Sequence, residues 1–147
     1  MSLYSQDPQR IMAIDYGEKR VGLALCDPLR IFAYPFKTIL NDSNFRTNLL
    51  NIIKESNVSL IILGYPLKEN GAKTDITETV EKFKTELESL SGLVVKLRDE
   101  RYTSAIAKER VIESVTSKKK RRDKGLLDKN AASIILQDYL DETARNA

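Results

Sequence analysis

The sequence has no histidine and one cysteine, Cys26, and these two absences remove whole classes of chemistry. Catalytic triads that need imidazole and histidine-based zinc sites are excluded, as are internal disulfides and Cys-x-x-Cys metal sites. Cys26 lies in an alternating apolar run and reads as a small core residue. No apolar stretch approaches the roughly 20 residues that cross a bilayer. The N-terminus lacks the basic, apolar and small-residue succession of a signal peptide, so the expected location is the cytoplasm. Catalysis, if present, must use Asp, Glu, Lys, Tyr or hydroxyl groups. Carboxylates working with hard divalent cations are the natural candidates.

What is present suits one globular domain spanning residues 1–147. The chain has 147 residues, 41% of them hydrophobic and 31% charged, enough to bury one core without covalent staples. The net charge of +3 is modest, but its distribution is uneven. Lys118, Lys119, Lys120, Arg121 and Arg122 are consecutive, and Lys124 and Lys129 follow closely. Such a run is either a solvated loop or a phosphate-binding surface.

Period-2 patterning predicts strands at Arg10–Tyr16, Arg20–Cys26 and Ala33–Leu40. In the first, Ile11, Ala13 and Asp15 share a face. In the second, Gly22, Ala24 and Cys26 make a small-residue face that lets another element approach closely. The period then becomes helical at Phe45, Leu49, Ile52 and Ile53, after a cap at Asp42 or Ser43. A strand at Ser59–Leu63, a helix from Asp75, a strand at Leu93–Leu97 and a helix capped by Thr103 or Ser104 come next. Residues 116–127 read as a polar, mobile segment, and Asp128 opens a last helix carrying Ala132, Ile135, Leu136 and Tyr139. This order predicts an α/β fold with a mixed five-stranded sheet: a three-strand antiparallel meander, then parallel strands, flanked by helices.

Three acidic positions stand out. Asp15 closes an apolar strand on its core face, where a carboxylate needs a cation or hydrogen-bond donors. It also fits a strand-end residue bonding the turn through Gly17, Lys19 or Arg20. Asp99 and Glu100 stand at the carboxyl end of a strand, where ligands gather in parallel αβ units, yet either suits the N-terminal region of the next helix. Asp128 suits a helix N-cap as well as a metal ligand. If the three converge, they form a carboxylate cradle for two-metal phosphodiester chemistry, which needs no histidine.

The segment Ala13-Ile14-Asp15-Tyr16-Gly17-Glu18-Lys19-Arg20-Val21-Gly22-Leu23-Ala24 resembles the opening motif of the YqgF family, also called RuvX. Leu63-Gly64-Tyr65-Pro66-Leu67 with Asn70-Gly71, Asp99-Glu100-Arg101-Tyr102-Thr103-Ser104, and Asp128 through Leu140 resemble its later motifs, in order across nearly the whole chain. Tyr65 and Tyr102 depart from the family's usual smaller or aliphatic residues.

The resemblance implies a ribonuclease H-like fold related to Holliday-junction resolvases, and a nuclease that processes the 5′ end of pre-16S ribosomal RNA. It places the acidic triad on Asp15, Glu100 and Asp128, which decides for Glu100 over Asp99, with Mg2+ or Mn2+ as cofactor. The expected nucleic-acid-binding residues are Lys19, Arg20, Arg101, Lys118, Lys119, Lys120, Arg121, Arg122 and Lys124, in a monomer or homodimer without membrane contact. Other readings are a resolvase acting on branched DNA, a non-catalytic RNA-binding protein of the same fold, and a nucleotide-binding fragment of the actin-like ATPase type, suggested by Asp15-x-Gly17.

Overall fold

Alternating side chains sort themselves onto the two faces of the sheet. In β1 (Arg10–Asp15), Met12 and Ile14 enter one buried cluster, while Ile11 and Ala13 enter the other. The computed structural model describes residues 8–102 and 124–146, with the side chains of 102 and 124–130 left aside. The helix expected after Thr103 or Ser104 and the run Lys118–Arg122 lie outside the described residues.

The strands β2 (Arg20–Cys26) and β3 (Ala33–Leu40) continue from β1 as an antiparallel meander. Gly17 permits the first turn, because a Cβ there would stand 2.4 Å from the Arg20 carbonyl oxygen. Two crossovers then add β4 (Val58–Tyr65) parallel to β1, and β5 (Val94–Asp99) parallel to β4. The sheet order is β3-β2-β1-β4-β5, the mixed five-stranded arrangement expected. Both parallel strands outrun their expected ends. Gly64 pairs with Arg98 and Tyr65 with Asp99, so ladder hydrogen bonds carry the strand past the glycine.

The crossovers contain α1 (Phe45–Glu55) and α2 (Asp75–Ser91), which cover the Met12–Ile14 face with Phe45, Leu49, Val80, Phe83 and Leu87. The cap of α1 is neither Asp42 nor Ser43 but Asn44, which makes no side-chain cap bond. Asp42 instead shapes the preceding turn, its Oδ1 accepting from the Asn44 N–H at 2.9 Å. Thr74 caps α2 reciprocally with Thr77, which is fully buried. Leu90, expected in the buried stripe, lies at the last turn and lines an open groove with Leu50, Ile53 and Leu93.

The opposite face is covered by α3 (Lys124–Arg145), whose Ala132, Ile135, Leu136 and Leu140 pack on Ala13, Ala24 and Cys26. The small-residue face of β2 therefore accommodates a helix. This helix starts at Lys124, earlier than expected, so Lys124 belongs to a helix and not to a loop. Asp128 is then inside α3 and does not cap it. No proline interrupts 124–127, and Gly125 costs only about 1 kcal/mol in a helix. Ile135 meets Gly64 near the carboxyl end of β4. Leu140 and Thr143 border a recess with Ile11 and Leu60 near the opposite ends of the strands. The N-terminal half of α3 thus runs toward the carboxyl ends of β1, β4 and β5.

Candidate active site

Strand register builds the site. Ile14 pairs with Leu63, which sets Asp15 level with Gly64, on the face that α3 covers. Alternation along β5 puts Arg98 on the same face, and Glu100 follows two residues later, in the 3-10 turn Glu100–Tyr102. The Glu100 side chain folds back over Gly64. A Cβ on Gly64 would stand 2.3 Å from the Glu100 Oε1 and 2.9 Å from the Ile135 Cδ1. Only a residue without a side chain leaves that space to the carboxylate.

There Glu100 hydrogen-bonds the Asp15 side chain. Burial pushes the Glu100 carboxyl above its ordinary value, the Asp15 bond partly opposes this, and the charge of Asp99 adds to the rise. Two acids in contact cannot both ionise freely.

Asp99 is committed elsewhere. Its carboxylate accepts from Arg101 Nε at 3.1 Å, from Nη2 at 2.7 Å and from the Arg101 backbone N–H at 3.0 Å. The Arg101 guanidinium holds the Asp99 carboxyl below the usual carboxylate range, against the smaller effect of burial. Between the two neighbours, Glu100 is the one that meets Asp15. Arg101, expected to bind nucleic acid, also donates from Nη1 to the Glu69 carbonyl at 3.2 Å. Gly71 packs beside this guanidinium with φ +88°, a conformation that favours glycine. Arg101 therefore struts the loop between β4 and α2.

Asp128 lies in α3 seven residues before Ile135, two helical turns farther toward the edge where Asp15 and Glu100 meet. Among the described side chains, no group of three Cys, Asp or Glu residues forms a metal cluster; the Asp128 side chain is not one of these. Lys19 is exposed and Arg20 half-buried, and both border an open groove with Gly17, Glu18 and Ile76, on the turn that follows Asp15. Sequence reasoning treated Gly64 as a strand end and missed its part in seating Glu100. No local signal could have found it, because residues 15, 64 and 100 reach one face only through the pairing of distant strands.

A profile of the RuvX family, described as a Holliday junction resolvase, matches residues 9–142. A protein of Endomicrobium trichonymphae named "Putative pre-16S rRNA nuclease" is 46% identical over 134 residues, covering 90% of this chain and 95% of its own. A protein of the same name from Chlorobaculum tepidum is 39% identical, covering 93% and 96%. Among solved structures, T. thermophilus RuvC in complex with a Holliday junction substrate superposes with a TM-score of 0.57 at 13% identity, covering 91% of this chain and 96% of that one. Fowlpox virus resolvase, solved with Holliday junction DNA, gives 0.57 at 16% identity, covering 92% and 99%. These likenesses show the ribonuclease H-like fold. With the family profile spanning nearly the whole chain and relatives this similar, the protein belongs to the RuvX family.

Proposed function

We propose that this protein is a divalent-metal-dependent endonuclease acting on precursor 16S ribosomal RNA. The observation that carries the reading is the Asp15–Glu100 carboxyl pair, seated over Gly64 at the carboxyl edge of the sheet. The name borne by relatives 46% and 39% identical supports the substrate.

The residues fit a hard cation. The donors are carboxylate oxygens without nitrogen or sulfur, which suits Mg2+ or Mn2+. A cation offsets the burial, and the charge of Asp99, that otherwise favour protonation of Glu100. Asp15 and Glu100 would hold the metal, and Asp128, on the helical stripe of Ala132 and Ile135, would complete the set. When bound, such a cation activates water and stabilises charge at the phosphodiester.

The protein's own groups do the rest. The Asp99–Arg101 pair fixes the strand end from which Glu100 departs. Lys19, Arg20 and Lys124, with Lys118, Lys119, Lys120, Arg121 and Arg122, attract the phosphate backbone. No helix among the described residues is long and apolar enough to cross a membrane; the cytoplasmic location follows from the proposed ribosomal RNA substrate.

The test is cleavage of a precursor 16S RNA fragment with Mg2+, with Mn2+ and with chelator. Asp15→Asn is expected to abolish cutting while circular dichroism stays native. Undiminished cutting by that variant contradicts the assignment. The family's description favours one competitor, a DNA junction resolvase; cleavage of four-way DNA but not precursor RNA under the same conditions decides for it.

A further inference from the structure

Apolar packing fixes the register of α3 only in part. The surface beneath it joins the branched Ile11 and Ile62 to the small Ala13, Ala24 and Cys26, and the small side chains offer few ridges to hold a helix against sliding. A slip of one residue moves a helix about 1.5 Å along its axis and turns it by about 100°. The cradle proposed above tolerates neither, because Asp128 rides on this helix while Asp15 ends one strand and Glu100 follows directly on another.

Two polar clamps, on neighbouring residues, remove that freedom. On one side Arg98, two residues before Glu100, donates from Nη2 to Asp138 Oδ2 at 2.8 Å and to the Glu142 carboxylate. The Asp138 side chain is only 8% exposed. The same guanidinium lies over the Tyr139 ring, 5.7 Å from its centroid. On the other side Gln137, 1% exposed, donates to the Ile31 carbonyl at 3.0 Å and accepts from the Ala33 N–H at 2.9 Å. Residues 137 and 138 project about 100° apart around the helix. One is tied to the start of β3 and the other to β5, so both rotation and translation are opposed. Buried ion pairs are weak sources of net stability, and their best attested use is to set register.

We infer that Arg98 and Gln137 are positioning residues, which hold α3 in the one register that brings Asp128 to Asp15 and Glu100. The inference rests on the metal-site reading above. It assigns no contact with substrate to either residue.

The experiment uses the full chain with Arg98→Met, Gln137→Met and both together. Metal affinity is read by Mn2+ calorimetry without RNA, and kcat and KM are read well below each variant's melting temperature. A displaced ligand of about 1 Å costs on the order of a hundredfold. The double variant is therefore expected to lose about that much in kcat, and each single variant about tenfold. KM for RNA stays within about twofold, because phosphate contacts are untouched, while the Mn2+ dissociation constant rises. Arg98→Lys restores part of both losses, since an ammonium reaches one of the two acids. Should the double variant misfold, Arg98→Lys and Asp138→Asn carry the test on the same two readouts. Variants that melt earlier yet bind Mn2+ and cut like the parent overturn the inference and leave the nuclease reading intact. A parent protein that neither binds Mn2+ nor cuts overturns the metal-site reading and this inference with it.

Discussion

Replacing Gly64 with alanine is expected to separate stability from activity. The new Cβ would stand 2.3 Å from the Glu100 Oε1, 2.9 Å from the Ile135 Cδ1 and 3.2 Å from the Glu100 Cδ. Ordinary contact begins near 3.4 Å, so the carboxylate must withdraw by about 1 Å. Both clashing groups are the far ends of flexible side chains and can swing aside. Gly64 does not have positive φ, so alanine brings no backbone strain. It also recovers about 0.5–1 kcal/mol through the lower entropy of a non-glycine strand residue, against an overpacking cost of typically 1–3 kcal/mol. The net loss of stability is then about 0–2.5 kcal/mol, and the fold survives. The proposed metal site does not survive, since about 1 Å at such a site costs on the order of a hundredfold in rate. The assay pairs thermal melting with Mn2+ calorimetry and RNA cleavage. A variant that melts close to the parent, binds metal poorly and cuts about a hundredfold more slowly bears out the argument. Parental metal affinity and rate would refute it, because Glu100 would then not need the space that Gly64 leaves.

Other consequences concern the acids. Glu100→Gln is expected to raise the melting temperature of the metal-free protein at neutral pH, because an amide donates to Asp15 where a second carboxylate repels it; saturating Mg2+ should reverse the order. The Glu100 carboxyl is raised in the folded state, so its favourable contribution is complete below the unfolded value of 4.5 and is lost as pH rises through the folded one. Melting curves against pH should show that loss without metal and not in Glu100→Gln. Because metal binding needs the ionised form, the acid limb of cleavage at limiting metal should lie above the ordinary carboxylate range and move down as metal is raised. Asp27 behaves oppositely. Burial is the largest single effect and raises its carboxyl, but the N–H groups of Phe32, Ile31 and Leu29 together outweigh it and hold it low. Its contribution is present above the unfolded value and is lost as pH falls through the lowered one. Asp27→Ala should destabilise the protein by about 1 kcal/mol in denaturant titration at neutral pH, leaving cleavage unchanged.

Much of this architecture was legible because alternation and helical period are local signals. The faces of β1 and β2, the span of β3 and the stripes of α1 and α2 follow directly from them. The strand ends were less legible. Gly64 read as a terminator by composition, yet pairing with β5 carries β4 on to Tyr65, whereas β5 does end at the Asp99–Glu100 pair. The start of α3 was misjudged because Asp128 is a good cap by type, and residue type says nothing of whether a helix has already begun. Asp15 and Glu100 were picked out by position and resemblance. Their contact depends on pairings between distant segments, Ile14 with Leu63 and Gly64 with Arg98. The roles of Gly64, Arg98 and Gln137 were illegible for the same reason, since each is defined by a partner far away in sequence.

The most direct measurement is anomalous scattering from crystals of the protein grown with Mn2+. The account predicts a peak bounded by carboxylate oxygens of Asp15, Glu100 and Asp128, beside the Gly64 backbone. Ordered acids in a Mn2+-containing crystal with no peak there, or Asp128 turned away from the other two, would contradict it.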